Sequence, residues 1–556
     1  MTRRAFAALL IILLAGPAYA GSQAVATHAA LSTVSPYATQ VGLSILKRGG
    51  NAIDATVAVA FALAVAHPQA GNLGGGGFLL YYDAKSKAVW SLDFREVAPL
   101  GATRDMFAKE PAASQTGALA IAVPGTVAGL DAMHERFGTL KWKELIAPAA
   151  RLARDGIKTD ATLEADLAAA REKRHIEQFG ATAALFFPKD KPLPAGSTLV
   201  QADLANTLER IATFGARELY EGDTAKKLIE NVRTAGGLLG YRDLRDYAPV
   251  WRSPIRLQFR GYDIYTMAPP SAGGLVIGES LNILSGYDLN ATGFQTPASI
   301  HLLVEAMRRA YIDRNKYLGD PSSARIPYRE LLSSERASQW RASIDAKKNT
   351  PTHMLAEPGT NVAEGQHTTH FTIVDEQGNV AAMTTTLNDN FGSGFIVPGL
   401  GFFLNNEMDD FTSAPGKPNR YGLVQGTANA IEPGKRMASS MSPTIVLKND
   451  KPYLALGTRG GPAIPTSVLQ VLLNVLVYKK PLAEAVAAPR YHQQALPEDI
   501  AFEQDRAPKA LLDALNAMGH GVAARDSIGD VHAILIESGK LTAVADPRAG
   551  GAAGGY

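Results

Sequence analysis

From Thr368 onward the chain changes texture, and that change constrains its fold more than any other feature. Thr368 to Asp375 and Val380 to Asn388 are rich in β-branched residues and are separated by Glu376-Gln377-Gly378. A three-residue loop with glycine in third place suits a type I turn closed by a bulge, so the two runs predict a hairpin. Centring it on Gln377 puts Thr386 opposite Thr368, each nine residues from the centre. A second hairpin is expected from Pro443–Leu447 and Pro452–Gly457 around Asn449-Asp450, followed by a helix from Pro465 to about Val477.

The residues before Thr368 read differently. Tyr37 to Lys47 has helical apolar spacing, Gly49-Gly50-Asn51 interrupts it, and Ile53 to Ala66 reads as a buried helix. Gly74 to Gly77 leads into a strand, Phe78–Tyr82, and Val89–Phe94 predicts another. The glycine cluster lacks the Lys-Ser/Thr of a phosphate loop, which leaves close backbone packing as its role. From Pro124 to about Asn349 the pattern is mostly helical, clearest at Trp142–Leu152, Leu204–Phe214, Thr224–Thr234 and Ile300–Tyr317. Residues 350–367 show no periodicity and read as a connector. Strands in the middle flanked by helices imply stacked layers.

Composition narrows the function. Hydrophobic residues make up 46% and charged residues 19% of the 556-residue chain, as in a globular protein with a large core. Arg3 and Arg4, the apolar run Ala7–Leu14 and Ala18-Tyr19-Ala20 read as a signal peptide, residues 1–20. Its removal leaves 53 basic against 53 acidic side chains, and no basic run alternates with aromatics, so a nucleic-acid partner is not expected. The expected location is periplasmic or secreted, with no membrane span after signal cleavage. Cysteine is absent, which excludes thiol catalysis. The hydrolase signatures G-x-S-x-G, S-x-x-K and H-E-x-x-H are missing, and the eleven histidines are not spaced as ligands, so neither metal nor cofactor is expected.

The junction His367-Thr368-Thr369-His370-Phe371 runs from loop directly into strand. Cutting the bond before Thr368 would give that residue a free α-amine of pKa about 8 beside its own hydroxyl, uniting general base and nucleophile. The threonine β-branch restricts χ1 and holds Oγ in place.

This junction, together with Thr386-Leu387-Asn388, Asn405-Asn406-Glu407-Met408-Asp409-Asp410-Phe411, Ser439-Ser440-Met441-Ser442-Pro443-Thr444 and Gly460-Gly461, resembles the γ-glutamyltranspeptidases. Asp93-Phe94-Arg95-Glu96 and Val123-Pro124-Gly125-Thr126 resemble motifs of the family's large subunit, and the likeness runs from about Ala24 to the C-terminal Gly-Tyr. The resemblance implies an α/β N-terminal-nucleophile hydrolase fold, a four-layer αββα sandwich. It also implies self-cleavage between His367 and Thr368 into a heterodimer of a large (21–367) and a small catalytic (368–556) subunit, forming one interleaved domain.

The implied roles follow position by position. Thr368 is the nucleophile and Thr386 its orienting partner, while the backbone N–H groups of Gly460 and Gly461 form the oxyanion hole. Arg95 with Ser439 and Ser440 grips the substrate α-carboxylate, and Asp410 and Glu407 with Asn388 hold the α-ammonium. Asp409 reads as packing. Pro415 to Gly422 matches the family's lid loop, with Tyr421 as gate.

The implied donors are glutathione and other γ-glutamyl compounds, and the acceptors are water, amino acids or peptides. An acylase for glutaryl- or cephalosporin-type amides and an unprocessed, non-enzymatic secreted binder are the alternatives. Two departures stand out: His367 before the cleavage point, and Thr458-Arg459 with Pro462-Ala463 around the glycines in place of a more usual Ser-Pro before and Ser after.

Overall fold

The computed structural model describes residues 21–355, 367–412, 426–503 and 506–556. The expected signal peptide, most of the connector, and the lid loop with Tyr421 lie outside the described residues.

The predicted hairpin forms from Thr368–Val374 and Val380–Thr386, and Thr368 pairs with Thr386 as the loop length requires. Gly378 takes φ of 84°, the left-handed value that the turn demands. The turn is also anchored from outside, since the Asp375 carboxylate accepts from the N–H of Ala52 at 2.8 Å and of Asn379 at 2.9 Å.

The hairpin lies at the centre of one of two seven-stranded sheets. In sheet order its members are Ala552–Gly555, Ala30–Thr33, Thr368–Val374, Val380–Thr386, Gly76–Asp83, Ala88–Asp93 and Val250–Arg252. The other sheet runs Gln23–Ala26, Lys540–Ala545, Asp530–Glu537, Lys451–Arg459, Thr444–Lys448, Tyr262–Thr266 and Ile255–Phe259. Segments from before and after Thr368 both contribute strands to both sheets, so neither part could form either sheet alone.

Three apolar clusters mark the layer boundaries. Phe371 and Ile373 pack with Ala52–Ala66 and Trp142–Asp155 on the outer face of the first sheet. Val374, Val380 and Ala382 meet Ile445, Ala455 and Ile534 between the sheets. Leu454 and Leu456 pack with Gly273–Leu284, Pro297–Tyr317 and Ala463–Leu476 on the far side. This is the expected αββα sandwich. Successive strand side chains alternate between faces, so Thr368, His370 and Thr372 share the inter-sheet face with Val374. Thr372 Oγ1 accordingly donates across to the His532 carbonyl at 3.1 Å.

The long apolar helix begins at Ala52, where Asn51 and Asp54 form a reciprocal capping box with bonds of 2.9 and 3.0 Å. The helical reading of residues 124–349 missed Val250–Arg252, Ile255–Phe259 and Tyr262–Thr266. These strands are short, and long-range pairing with Ala88–Asp93 and Thr444–Lys448 defines them. The glycines at 74–77 serve close packing: a Cβ on any of them would collide with a backbone carbonyl, those of Phe403, Thr386, Phe94 and Thr384 in turn.

Candidate active site

Thr368 begins its strand at the end of the sheet, almost wholly buried. Its Oγ1 lies 3.4 Å from Thr386 Oγ1. Thr386 Oγ1 in turn donates to the His367 carbonyl at 3.0 Å and accepts from the Asn388 N–H at 2.8 Å. The pair therefore does more than match across strands, because one hydroxyl is bonded to the carbonyl of the peptide bond before the other. Burial lowers the His367 imidazole to about 4, so it is neutral at physiological pH.

Asn388 leaves the strand at φ of 79°, a left-handed conformation that asparagine tolerates. Its Nδ2 donates to the Asn406 carbonyl at 3.0 Å. This bond ties the nucleophile's partner strand to the acidic segment Glu407–Asp410. Asn405 fixes that segment from the other side: its Oδ1 accepts from the N–H of Ala122 and of Glu407, both at 3.0 Å. Asp409 bonds Ser114 instead, in keeping with a packing role.

Arg95 is held in place by its own backbone. Its N–H donates to Asp93 Oδ1 at 2.9 Å, and its carbonyl accepts from Tyr247 at 3.0 Å. The guanidinium is 1% exposed. Nη1 lies 2.7 Å from Glu407 and 3.4 Å from Glu96, while Nη2 pairs with Asp410 and donates to the Ala438 carbonyl at 3.1 Å. Sequence reasoning had assigned Arg95 and the two acids to opposite ends of a substrate, whereas the structure joins them directly. Glu96, which that reasoning left without a role, completes the cluster.

Three buried carboxyls around one guanidinium cannot all ionise at ease. Burial raises Asp410 to about 6 and Glu96 to about 7 against the opposing pull of Arg95. Burial likewise pushes Glu407 well above its ordinary value, with the neighbouring Glu96 and Asp410 carboxyls pushing the same way against Arg95. The cluster therefore holds a proton near neutral pH, which makes it a place where another cation can bind.

Ser439 and Ser440 border this cluster, since Ala438 receives an Arg95 bond. The helix Pro297–Tyr317 supplies two buried residues behind them, one turn apart. Arg314 Nη2 lies 3.4 Å from Ser440 Oγ. The Tyr311 hydroxyl lies beside Ser440 and donates to the carbonyl of Pro462. Neither residue was singled out from the sequence, which predicts a helix over Ile300–Tyr317 without revealing what these two side chains reach.

Pro462 continues the glycine turn. Gly460 and Gly461 take φ of 131° and 54°, and the helix Ala463–Leu476 follows at once. The carbonyls of the two glycines accept from Ala463 and Ile464 at 3.1 and 3.0 Å. Their N–H groups have no acceptor among the described residues, at a helix N-terminus where a negative oxygen is favoured.

One further cluster has ligand-type side chains. His301 Nδ1 lies 2.7 Å from His520 Nε2, and Glu305 lies beside them. Two of these groups are already engaged elsewhere: the other His301 nitrogen is 2.7 Å from the Asp345 carbonyl, and Glu305 pairs with Arg309 at 2.7 Å.

Comparison with known proteins adds an independent line. A family profile described as gamma-glutamyltranspeptidase matches residues 38–556. The chain is 42% identical over 524 residues to the glutathione hydrolase proenzyme of Escherichia coli (strain K12), spanning 93% of this chain and 90% of that one. The solved cephalosporin acylase from Bacillus halodurans is similar at a TM-score of 0.87 and 28% identity over 99% of both chains. The solved gamma-glutamyltranspeptidase of Helicobacter pylori is similar at a TM-score of 0.55 and 40% identity, over 57% of this chain and 91% of that one.

Proposed function

Because this chain belongs to the gamma-glutamyltranspeptidase family, we propose that Thr368 is its nucleophile, freed by autocatalytic cleavage of the His367–Thr368 bond. The protein is an enzyme of γ-glutamyl chemistry, taking γ-glutamyl groups from glutathione and related amides to water or amines. The observation that carries the residue assignment is the hydrogen bond from Thr386 to the His367 carbonyl, directly across the hairpin from Thr368.

In the precursor, that bond polarises the carbonyl that Thr368 Oγ attacks; the peptide C–N bond breaks as the ester to Oγ forms, and water then hydrolyses the ester. The products are a large chain ending at His367 and a small one beginning at Thr368, which remain together as a heterodimer because both contribute strands to both sheets. In the mature enzyme, the Thr368 α-amine takes the hydroxyl proton as Oγ attacks the γ-carbonyl of the donor. The N–H groups of Gly460 and Gly461 stabilise the oxyanion, and the leaving amine departs with the proton. Water or an acceptor amine then reverses the step.

The acid cluster recognises the donor's α-ammonium, which replaces the proton that the cluster holds. The Ser439 and Ser440 hydroxyls, with Arg95 and with Arg314 behind Ser440, serve the α-carboxylate. The cephalosporin-acylase alternative shares the fold, but a glutaryl group brings no ammonium to three clustered acids. Tyr421 keeps its proposed role as gate on the resemblance alone. The location that best fits residues 1–20 is periplasmic or secreted, and no described helix is long and apolar enough to cross a membrane.

The test is the intact mass and N-terminal sequence of the purified protein and of Thr368→Ala. The wild type is expected to yield a fragment beginning Thr-Thr-His-Phe. The variant is expected to stay one inactive chain; two bands from it would overturn the assignment.

A further inference from the structure

Beside Gly460 and His367 opens a cavity of about 610 Å³ that includes none of the residues assigned to the donor's α-ammonium and α-carboxylate. Its charged lining residues are Arg459 and Arg525 with Asp166 and Asp499, two of each sign, so the lining is polar and electrically balanced. Such a lining suits a zwitterion and not an apolar leaving group.

Arg459 is the cation next to the chemistry, since it directly precedes Gly460 in the chain. Its side chain is 18% exposed, and its nearest acid, Asp530, lies at 4.0 Å, the outer limit of an ion pair. Asp530 is itself engaged by His532 at 3.3 Å. The Arg459 guanidinium makes no hydrogen bond among the described residues, although it carries five N–H donors in a planar fork. A partly buried arginine with its donors unspent, on the wall of a cavity, is an anion-binding group.

The location of the cavity decides which anion. Thr368 N is bonded to His367, so cutting that bond leaves the α-amine facing the side where His367 lines the cavity. The second half of the reaction needs that amine as base, and the incoming nucleophile must therefore approach from its side. Nitrogen of the acceptor attacks the acyl carbon, an N–C bond forms, and the C–Oγ bond of Thr368 breaks. The acceptor's proton passes through the α-amine to Oγ, which returns Thr368 unchanged.

We propose that this cavity is the acceptor subsite and that Arg459 binds the acceptor's carboxylate. The enzyme then favours free amino acids and short peptides over amines without a carboxylate. The inference rests on the functional reading above, and the experiment separates the two. With γ-glutamyl-p-nitroanilide as donor, glycylglycine and glycylglycine amide are compared as acceptors of the mature enzyme. The apparent KM for the free carboxylate is expected to be at least about tenfold lower, the ratio one charge-assisted contact confers.

In Arg459→Gln that ratio is expected to fall to within about twofold, and in Arg459→Lys, which keeps the charge but not the fork, to an intermediate value. A wild-type ratio near one would overturn the inference, as would an unchanged ratio in Arg459→Gln. The wild-type comparison still decides if the variants fail to mature. Should the wild type release no p-nitroaniline at all, the functional reading falls, and this inference with it. Release without carboxylate preference overturns the inference alone.

Discussion

Thr386 Oγ1 donates a hydrogen bond to the carbonyl oxygen of His367 at 3.0 Å, while Thr386 itself stands opposite Thr368 in the hairpin register. One hydroxyl therefore serves two ends: it polarises the bond to be cut and stands beside the hydroxyl that cuts it. The turn around Gln377 enforces this arrangement, because the loop length determines which residue faces Thr368.

Thr386→Val tests the polarising role, since valine keeps the shape and β-propensity but has no donor. Losing one donor to a developing oxyanion costs about 10²- to 10³-fold in comparable sites. Conversion of the precursor, followed by gel over time, is expected to slow by at least about tenfold. Cleavage at the wild-type rate would show that the bond is structural only.

Asp410→Asn keeps the volume and removes the charge from the ammonium pocket. Donor kcat/KM is expected to drop by about 10- to 100-fold, the range of a charge-assisted bond. The glutaryl analogue, which lacks the ammonium, should lose far less. Equal losses for both donors would place Asp410 outside ammonium recognition.

The pH dependence follows from the same residue. Burial raises Asp410 to about 6 in the folded protein, so its neutral form is favoured there and the group stabilises the fold at low pH. That contribution fades as pH rises through about 6. Ammonium binding has the opposite requirement, because it needs the ionised form. Donor kcat/KM, which reports the free enzyme, is expected to fall about tenfold per unit below the Thr368 α-amine pKa of about 8, and about a hundredfold per unit below 6, where Asp410 is protonated as well. A slope that does not steepen on passing pH 6 would contradict the assignment.

Gly460→Ala probes the oxyanion turn. A Cβ there has room, with its nearest neighbour, Gly529 Cα, at 3.5 Å, so the penalty lies in the φ of 131°. The residue is expected to swing its N–H out of line and lower kcat by about 10²-fold while donor KM changes little. An unchanged kcat would remove this N–H from the mechanism.

How far the site could be read from the sequence depended on whether the controlling interaction was local. The Thr368–Thr386 pair was legible because a three-residue loop with glycine third permits one register, and that register needs nothing beyond the hairpin. The helices Ala52–Ala66 and Ala463–Leu476 were legible from periodicity. The positions of Arg95, Glu407, Asp410 and the oxyanion glycines came from the family's motifs, not from any spacing in this chain.

Tertiary structure alone decided what those residues touch. Arg95 and Asp410 are 315 positions apart, and their ion pair exists only because Asp93 holds one backbone and Asn405 the other. The same holds for Tyr311 against Pro462, 151 positions away, and for the strands from Val250 to Thr266, which exist through partners that their own pattern does not name. Loops and periodicities are written in neighbouring residues. The protonation and pairing of buried charges are set by what the sandwich brings within a few ångströms, and no local pattern carries that information.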